Sequence, residues 1–533
     1  MLVCFLHRGL GWVRVLLHAN RACGSILSWK RESGRVIVRW RRAAWWWLPA
    51  LVLFAGAVPA RAGGGTGYGL AAIQPLVFTG NPTLDLAQRY ALAVLATDFT
   101  GETHVAAAGY YTNPWIRDSF AWGMIPSRAG NSLSAYSGEE LTYWLGRQQP
   151  FGGWLTAPKS GYFDETPVLI SAALDAYRVS GDLAALRAAL PRLERGWRWL
   201  KNGFVHPSHG SSVLIYANVP PHTAADWADQ VARSGYATEL EALWYAATRS
   251  LSVSESILHH PGQARYYAGF AARIKADINR LLWTNRAPFT RNAPAVPGFG
   301  HYRSWVGPRD YFELDSNFLC IVYGIASPAQ ASSIDAFVMA HSSYLLGLGS
   351  GDGIPARVLY GDYDPRDYAG KHSRLGPGRY QSAYWPTVGA LVALGYARSG
   401  RVGEARAILL TLARTFVQGR DIREWYGQDG QGNGAPAFGW AARMFLVALY
   451  AAYLGVEWYD AAPGIPSVPG ITLEDPAGAG EAALSYHGRV LQVRVTGHGG
   501  TVRVAIGSHV HRTTLLPGPL LCQGCTVNVK WAG

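Results

Sequence analysis

The 533-residue sequence is long enough for more than one domain, and 49% hydrophobic with 16% charged residues is the balance of a globular protein, not of a disordered chain. The net charge of +13 would suggest a nucleic acid or a membrane as partner, but residues 1–62 hold ten Lys or Arg and one acid. The rest of the chain is only slightly basic, so we expect no nucleic-acid partner. The 21 Trp and 28 Tyr residues suit a large core and also suit stacking against sugar rings.

The pattern of residues 1–62 is typical of a basic leader that ends in a signal peptide. A basic run at 39–42 precedes an apolar stretch at 43–60, and the sequence Ala-Arg-Ala at 60–62 forms an A-x-A cleavage site. The apolar stretch is also close to membrane-spanning length, so an uncleaved anchor is the alternative. We therefore expect an exported protein, periplasmic or secreted, whose only membrane contact would be through an uncleaved leader.

Between about residue 82 and residue 455, apolar residues recur at three- and four-residue spacing, which predicts a succession of helices. Some are amphipathic, whereas those at 387–398 and 442–454 are apolar nearly all round and must be buried. About a dozen helices that alternate in this way predict an all-α fold over residues 63–460, in which two concentric rings form an (α/α)6 toroid, or six-hairpin barrel. The ten segments with this periodicity are 83–99, 139–149, 166–181, 182–200, 239–251, 264–282, 318–326, 387–400, 401–416 and 439–455.

The end of the chain, residues 461–533, has the character of a small β-strand domain. A Pro- and Gly-rich segment is followed by stretches at 490–497, 501–508 and 526–531 that alternate apolar and polar residues with a period of two. Gly-rich turns separate these stretches. The pattern predicts a β appendage of roughly 70 residues after the helices.

Three cysteines follow the leader. Cys522 and Cys525 can form a local disulfide in an exported protein, and a single pair of this kind cannot complete a tetrahedral zinc site from sulfur alone. Cys320 lies in an apolar run, where we expect a buried and inert thiol. The motifs predict neither a metal nor a cofactor.

The first of three loop motifs that precede helices is YTNPWIRDSFAWG at 111–123. Trp115 offers a face for stacking, Arg117 a planar fork of donors and Asp118 an acceptor, a combination that suits a pyranose ring with several hydroxyls. The alternative is an Arg–Asp pair that ties the loop, with Asp118 capping a helix.

The second motif, HTAADWADQVARSGYATELEALWYAA at 222–247, places Asp226 and Asp229 on either side of a tryptophan. Either acid can cap the helix that follows, but capping requires neither the tryptophan nor the glycine loop that comes between. The third motif, at 423–446, sets Glu424 between Arg423 and Trp425, ahead of a Gly-rich loop and an apolar helix. A carboxylate among aromatic side chains is expected to have the shifted pKa of an acid/base group.

These motifs resemble, in the same chain order, those of the six-hairpin glycosidases. WIRDS is similar to the W-x-R-D loop of glucoamylases and the G-W-G-R-D loop of bacterial amylo-α-1,6-glucosidases of the glycogen-debranching type. DWADQV…ATELEALWYAA resembles the debranching-type segment T-W-M-D…V-E-x-N-A-L-W-Y, and the stretch 141–182 resembles the loop and helix that precede it. EWYG…FGWAARMFLVAL is similar to a terminus shared with trehalases and processing α-glucosidases. The resemblance covers about residues 83–455.

The resemblance implies an inverting glycoside hydrolase that cleaves α-glucosidic bonds, with Asp229 as general acid and Glu424 as general base. It requires the two carboxyl groups to lie roughly 6.5–9.5 Å apart, so that a water molecule fits between base and sugar. The same matching implies a set of side chains that hold the carbohydrate substrate: Trp115, Arg117, Asp118, Asp164, Trp227, Glu239, Trp385 and Trp425.

Departures from the family pattern leave alternatives open. The sequence reads W-A-D where the debranching type has W-M-D, so Asp226 could take the role of the acid, and no large β-domain precedes the helices. The same fold could act on trehalose, a mannoside or a rhamnoside. A non-catalytic carbohydrate-binding protein of the cell envelope would keep the aromatic residues and misplace one carboxylate. A polysaccharide lyase would use a histidine, for which His222 and His301 are the candidates.

Overall fold

The structure is a computed structural model, and the chain forms two compact units, Met1–Gly65 and Thr66–Gly533. In the first unit the structure describes four strands. In the second it describes residues 70–532 with the exception of 71–72, 74–75, 126–131, 156–161, 206–211, 218–224, 348–355, 370–375, 377, 460–469, 474–479 and 488.

The first unit contains two antiparallel hairpins. Strand β1 (Leu2–His7) pairs with β2 (Trp12–Leu17), and β3 (Ser25–Glu32) pairs with β4 (Arg35–Arg42). The apolar core and cleavage site of the expected signal peptide, residues 43–62, lie outside the described residues. Of the helices that the structure describes, none combines the length and the hydropathy of a membrane-spanning segment.

The second unit is mainly helical, and all ten predicted helices are confirmed to within a few residues at each end, except that the second and fifth start or end further out. The helices described are α1 (Pro82–Asp98), α2 (Ile116–Phe120), α3 (Ser132–Leu145), α4 (Glu165–Ser180), α5 (Leu183–Phe204), α6 (Thr238–Ile257), α7 (Pro261–Leu281), α8 (Leu314–Val322), α9 (Pro328–Ala340), α10 (Ser342–Leu345), α11 (Pro386–Arg398), α12 (Val402–Gly419) and α13 (Gly439–Leu454).

Helix α9 was not predicted, because it buries only a narrow apolar face made by Ile334, Phe337 and Val338. Its start nevertheless carries a local signal. The Ser327 side chain accepts a hydrogen bond from the backbone N–H of Gln330, and the Gln330 side chain accepts one from the backbone N–H of Ser327. This capping box is legible in the sequence as S-P-A-Q.

The helices fall into two groups that differ in burial. Helices α2, α4, α6, α8, α11 and α13 pack against one another in that order, and α13 also packs against α2. Every residue of α13 is buried, as its nearly all-apolar sequence predicts, and its one cation, Arg443, lies 3.4 Å from Glu140. Helices α5, α7 and α12 instead bury one face and pack against members of the first group.

The loops that enter the first group of helices are long, and two short strand pairs form within them. Trp283–Thr284 pairs with His301–Tyr302, and Trp425–Tyr426 pairs with Gly432–Asn433. The strands that complete this unit are β5 (Val77–Phe78), β6 (Trp283–Thr284), β7 (His301–Tyr302), β8 (Trp425–Tyr426), β9 (Gly432–Asn433), β10 (Val456–Tyr459), β11 (Gly470–Leu473), β12 (Gly480–Tyr486), β13 (Arg489–Ile506), β14 (His509–His511), β15 (Leu515–Pro517) and β16 (Thr526–Ala532).

The predicted C-terminal strands form a sheet in which β13 pairs with β12, β14 and β16, while β5, from just before α1, pairs with the other edge of β12. The stretches 490–497 and 501–508 were expected as two strands. Strand geometry is continuous over Arg489–Ile506, but the chain reverses direction between Thr496 and Gly500, since 492–496 run parallel to 526–530 of β16 whereas 501–506 pair with the same strand in the opposite direction. The two expected stretches are therefore separate arms, and Gly497, with a φ of +76° and a Cβ position 2.2 Å from the carbonyl oxygen of Trp531, lies at the reversal.

The cysteines of the second unit are in the expected states. Cys522 and Cys525 form a disulfide beside the start of β13, where the carbonyl of Cys525 accepts a hydrogen bond from the backbone N–H of Gln492. Cys320 is a free, fully buried thiol within α8. Burial raises its pKa well above the ordinary value, so that it is not a nucleophile at neutral pH.

Candidate active site

A cavity of about 500 Å³ lies where the loops enter α2, α4, α6, α11 and α13. Seven of the ten predicted site residues line it: Trp115, Arg117, Asp118, Trp227, Asp229, Trp385 and Glu424. Seven further residues complete the lining: Ala106, Tyr111, Tyr162, Gln230, Tyr380, Phe438 and Trp440. The motifs that were separate in sequence are therefore brought together at one place.

Asp229 lies in a tight turn at the cavity wall. Its backbone N–H donates to the carbonyl of Trp227 at 2.8 Å, and its Oδ1 accepts a hydrogen bond from Nε2 of Gln381 at 3.1 Å. Asp226 has a different environment, since it is completely buried and accepts hydrogen bonds from a backbone N–H two residues on (3.0 Å) and from Arg233 (3.2 Å). Asp226 thus holds the shape of the turn, and Asp229 is the acid that reaches the cavity.

Glu424 comes from a different loop and lies in the lining of the same cavity. Its Oε2 accepts hydrogen bonds from the backbone N–H of Ala435 (2.9 Å) and from the hydroxyl of Tyr111 (3.2 Å), and the Tyr380 hydroxyl lies 3.4 Å from Oε1. Gly434 makes this packing possible, because its φ is +67° and a Cβ there would lie 2.4 Å from Oε2. The Gly-rich loop after Glu424 therefore wraps its carboxylate.

Indole rings form an apolar wall of the cavity. The ring centroid of Trp227 lies 5.0 Å from that of Trp385 and 5.6 Å from that of Trp440, and Trp122 packs behind at 4.8 Å from Trp440. The rings meet edge to face, an arrangement favoured by their quadrupoles. The indole N–H of Trp227 donates to Asp315 at 2.9 Å and so fixes the ring.

Arg117 is held in place by aromatic and acidic neighbours. Its guanidinium lies over the rings of Tyr162 (4.5 Å) and Trp115 (5.2 Å), and its Nη1 lies 3.3 Å from Oδ2 of Asp164. The acidic neighbours raise its already high pKa, so the cation is permanent. Asp118, the next residue, completes a donor–acceptor pair at the cavity wall.

The two acids beside Arg117 have pKa values near neutrality. Burial raises the pKa of Asp118 to about 7, against the lowering effect of Arg117, and the charge of Glu424 adds to the increase. Burial likewise raises the pKa of Asp164 to about 7, again opposed by Arg117. Because Asp118 is partly protonated at neutral pH, it can both donate to and accept from a ligand hydroxyl.

Behind the cavity wall, Arg233 is the centre of a buried acidic cluster. Its guanidinium nitrogens lie 3.2 Å from Asp226, 3.0 Å from Glu239, 2.5 Å from Glu313 and 3.4 Å from Asp315. Burial raises the pKa of Glu239, of Glu313 (to about 7) and of Asp315. One cation thus neutralises part of the charge, and burial favours the protonated forms of Glu239, Glu313 and Asp315.

Three predicted site residues lie outside the cavity lining. Glu239 is fully buried, where it accepts hydrogen bonds from the indole N–H of Trp122 (2.8 Å) and from Arg233. Asp164 lies behind Arg117 and holds it. Trp425 is half-buried in β8, with its ring edge-on to Tyr380 at 6.1 Å. Asp164 and Trp425 thus contact the lining residues Arg117 and Tyr380, whereas Glu239 contacts Trp122, which packs behind the indole wall.

The lining residues that sequence reasoning missed differ in how visible they were. Tyr111 and Trp440 belong to the first and third motifs, from which other residues were selected as site candidates. Tyr380 and Gln381 lie in the segment RYQSAYWP, from which only Trp385 was selected. Tyr162 precedes Phe163 just before α4, and no local pattern sets it apart as a site residue.

Of the two histidines considered for a lyase, the structure describes His301, which does not line the cavity. His301 is buried, its Nδ1 lies 3.0 Å from the carbonyl oxygen of Phe299, and burial lowers its pKa to about 4. His222 lies outside the described residues. Within the described ranges, no group of three or more His, Cys, Asp and Glu side chains has an arrangement that could hold a metal ion.

Neither a family model nor a curated protein matches the sequence, whereas solved structures match the fold. The GH78 family rhamnosidase of Bacillus sp. GL1 matches with a TM-score of 0.52 and 13% identity, over 86% of this chain and 44% of that chain. A bacterial glucoamylase complexed with acarbose matches with a TM-score of 0.51 and 14% identity, over 71% and 56% of the two chains. The GH63 mannosylglycerate hydrolase of Thermus thermophilus has a TM-score of 0.49 and 18% identity, over 68% and 99%.

The rhamnosidase and glucoamylase matches show that this chain shares the fold of the six-hairpin glycosidases. The fold expected from the loop motifs therefore agrees with the fold of these two structures.

Proposed function

We propose that this protein is an exported inverting glycoside hydrolase that cleaves α-glucosidic bonds, with Asp229 as general acid and Glu424 as general base. The observation that carries the proposal is that these two carboxyl groups, from loops far apart in the chain, line one cavity with an indole wall. Because one fold hosts many functions, the site and not the shared fold is the basis of the assignment. The volume of about 500 Å³ lies in the range of small-ligand pockets.

The proposed reaction uses the two carboxyl groups in opposite protonation states. Asp229 gives its proton to the departing glycosidic oxygen, while Glu424 takes a proton from a water molecule that attacks the opposite face of the sugar. Hydrogen bonds from the Tyr111 hydroxyl and from the backbone N–H of Ala435 favour the ionised form of Glu424, as a general base requires. The attack from the opposite face inverts the anomeric configuration.

The substrate in this proposal is an α-linked gluco-oligosaccharide or a related glycoside. The apolar face of a pyranose can stack on Trp227, Trp385 or Trp440, and its hydroxyls can meet Arg117 and Asp118. The mixed protonation of Asp118 suits a ring whose hydroxyls both donate and accept. Trehalose, mannosides and rhamnosides present the same types of group and belong in the substrate panel.

We further propose that the helices form the (α/α)6 toroid. Six helices packed in a cycle, from α2 through α13 and back to α2, support this architecture. The amphipathic helices α5, α7 and α12 would belong to the outer ring, with one face buried. The cavity would then lie at the end of the toroid where the inner helices begin.

Export is a proposal that the leader and the disulfide support. Disulfides persist in oxidising compartments, so the bond between Cys522 and Cys525 suits a periplasmic or secreted protein. Cleavage of the signal peptide after Ala62 would give a mature chain that starts at Gly63. Amino-terminal sequencing of the protein recovered outside the cytoplasm tests this, and recovery of the uncleaved chain in the membrane fraction would favour the anchor.

The experiment that tests the hydrolase proposal follows the anomer released. The protein is incubated with a panel of α-glucosides, trehalose, mannosides and rhamnosides, and proton NMR records the first product. Initial release of the β-anomer from an α-glucoside supports the proposal. Retention of configuration, or full activity in Asp229→Asn and Glu424→Gln, contradicts it. Sugar binding by calorimetry without turnover of any substrate would instead support a carbohydrate-binding protein.

A further inference from the structure

One short turn contacts both proposed catalytic carboxyl groups. In the helical turn Tyr380–Ser382, the hydroxyl of Tyr380 lies 3.4 Å from Oε1 of Glu424, and Nε2 of the adjacent Gln381 lies 3.1 Å from Oδ1 of Asp229. Two consecutive residues therefore reach the proposed base and the proposed acid.

The backbone conformation of this turn explains how neighbouring side chains reach different carboxylates. Tyr380 has a φ of +49°, in the left-handed region that non-glycine residues rarely adopt. Such conformations persist where the surrounding structure determines them, and they occur often at functional sites. Here the carbonyl of Tyr380 accepts hydrogen bonds from the indole N–H of Trp385 (2.8 Å) and the backbone N–H of Ala383 (2.7 Å).

The chain just beyond the turn is fixed to β8, the strand that follows Glu424 directly. Tyr384 forms a pair of backbone hydrogen bonds with Tyr426, two residues beyond Glu424, at 2.8 and 3.2 Å. Gln381 itself is fully buried, so its amide has little freedom to move away from Asp229. The segment 380–384 is therefore attached to β8 by its backbone and to the acid-bearing loop by one side chain.

We propose that the turn Tyr380–Ser382 sets the relative position of the two carboxyl groups, with Gln381 as the positioning residue for Asp229 and Tyr380 as the positioning residue for Glu424. This inference rests on the proposed function for its kinetic consequences, and its structural part stands independently. The amide N–H of Gln381 donates to Oδ1 of Asp229, which favours Oδ2 as the oxygen that carries the proton to the leaving group. Gln381 thereby selects the oxygen that acts.

The two hydrogen bonds are expected to affect opposite limbs of the pH profile of kcat/KM. A donor to a carboxylate favours its ionised form, so removal of the donor raises the pKa. Loss of Gln381 should raise the pKa of Asp229 and move the alkaline limb of kcat/KM to higher pH, whereas loss of the Tyr380 hydroxyl should move the acidic limb through Glu424. The other titratable groups facing these carboxyls, Tyr162 beside Asp229 and Tyr111 and Asp118 beside Glu424, are unchanged in both variants.

The experiment compares Gln381→Met and Tyr380→Phe with Ser382→Ala. The Ser382 hydroxyl is buried in the same turn and makes no hydrogen bond within the described residues, so its removal is a matched control. For Gln381→Met we expect kcat to fall on the order of 10- to 100-fold with KM nearly unchanged, and the alkaline limb to move up by about half a unit to one unit. For Tyr380→Phe we expect a smaller upward movement of the acidic limb, because two donors to Glu424 remain. Ser382→Ala should move neither limb.

A second measurement does not depend on turnover. The pKa of Asp229 is followed by carbon NMR in protein labelled at the aspartate carboxyl carbons, with Asp229→Asn to identify the resonance. An increased pKa in Gln381→Met supports the positioning role even if no substrate is hydrolysed, in which case only the proposed function fails. If Gln381→Met does not fold, Gln381→Glu replaces the donor with an acceptor of the same shape and should raise the pKa further.

Two results would overturn the inference. One is an unchanged pKa of Asp229 in both Gln381 variants. The other is a change in kcat without movement of the limb assigned to each residue, or with the same movement in Ser382→Ala, since a merely structural role would produce that pattern.

Discussion

The cavity and the buried cluster around Arg233 use the same kind of side chain for different purposes. In the cavity, Asp229 and Glu424 receive hydrogen bonds from uncharged donors, among them Gln381 and Tyr111. Behind the wall, four carboxyl groups share the guanidinium of Arg233 and have no exposed surface. The acids of the first kind line a cavity that a ligand can enter, whereas those of the second kind reach neither the solvent nor the cavity. The surroundings therefore distinguish acids that can react from acids that hold loops in place.

The largest effect is expected where the two proposed catalytic acids are neutralised. Asp229→Asn and Glu424→Gln should each lower kcat by about 10²- to 10⁴-fold, because each removes one proton transfer in the transition state. The melting temperature should stay close to that of the unmodified protein, since Asn and Gln keep the shape of the replaced side chains and can still accept the hydrogen bonds from Gln381, Tyr111 and Ala435. Steady-state kinetics with an α-glucoside and thermal unfolding check both parts. Loss of folding in either variant would remove the contrast with the cluster.

The opposite result is expected for Arg233→Met. Removing the cation leaves Asp226, Glu239, Glu313 and Asp315 without their shared partner, which should lower the free energy of unfolding by about 3–5 kcal/mol. Chemical denaturation measures this change. Arg198→Met is the matched control, because Arg198 is half exposed in an ion pair with Glu194 on one helix and should cost about 0.5 kcal/mol or less. Equal losses in the two variants would contradict the role of the cluster.

A smaller effect on activity is expected from Asp118→Asn. Asp118 lines the cavity beside Arg117, and the loss of a buried hydrogen-bonding group costs about 1–3 kcal/mol, which corresponds to roughly a 5- to 150-fold decrease in kcat/KM. The decrease should appear with α-glucosides in the panel and be weaker for glycosides that lack the contacted hydroxyl. Unchanged kcat/KM at every pH would place Asp118 among the purely structural acids.

The smallest effect is expected for Asp98, which lies neither in the cavity lining nor in the Arg233 cluster. Desolvation by burial is the main influence on its pKa. Its Oδ1 accepts the backbone N–H of Ala108 at 2.7 Å, and burial raises its pKa from 3.8 to about 8. The folded state therefore holds a proton that the unfolded state releases above about pH 4, so stability from this group is lost as pH rises from about 4 to 8. Asp98→Asn removes this titration. Its melting temperature relative to the unmodified protein should rise by roughly a few degrees between about pH 5 and pH 9. A difference in melting temperature that stays constant with pH would contradict the raised pKa of Asp98.

The helices were predictable because burial leaves a periodic record in the sequence. The almost wholly apolar sequence of α13 and the one-sided pattern of α5 each admit one environment. Helix α9 was missed because its buried face is narrow. The two stretches predicted within β13 are present as arms that pair with β16 in opposite directions, because the glycine-rich segment that begins at Gly497 reverses the chain.

The site was predictable only to the extent that neighbours in sequence are neighbours in space. The motifs brought seven residues to the cavity, but they also assigned Glu239 to substrate binding, whereas its side chain is fully buried behind the cavity wall. The difference arises from Arg233, which draws Glu239 inward. Gln381 could not be found at all, since its importance depends on a contact with a loop 152 residues earlier in the chain.

The cavity lining is assembled from five separate loop segments, each of which leads into its own helix. The stretch between α7 and α8 adds nothing to the described lining. This arrangement lets protein engineers change one side of the pocket at a time. A library confined to one segment can alter the side chains on that side, while the flanking helices hold the other segments in place. Diversification could begin with the segment around Tyr162, which holds neither proposed catalytic acid, and the unused α7–α8 stretch could accept an inserted loop that extends the pocket outward.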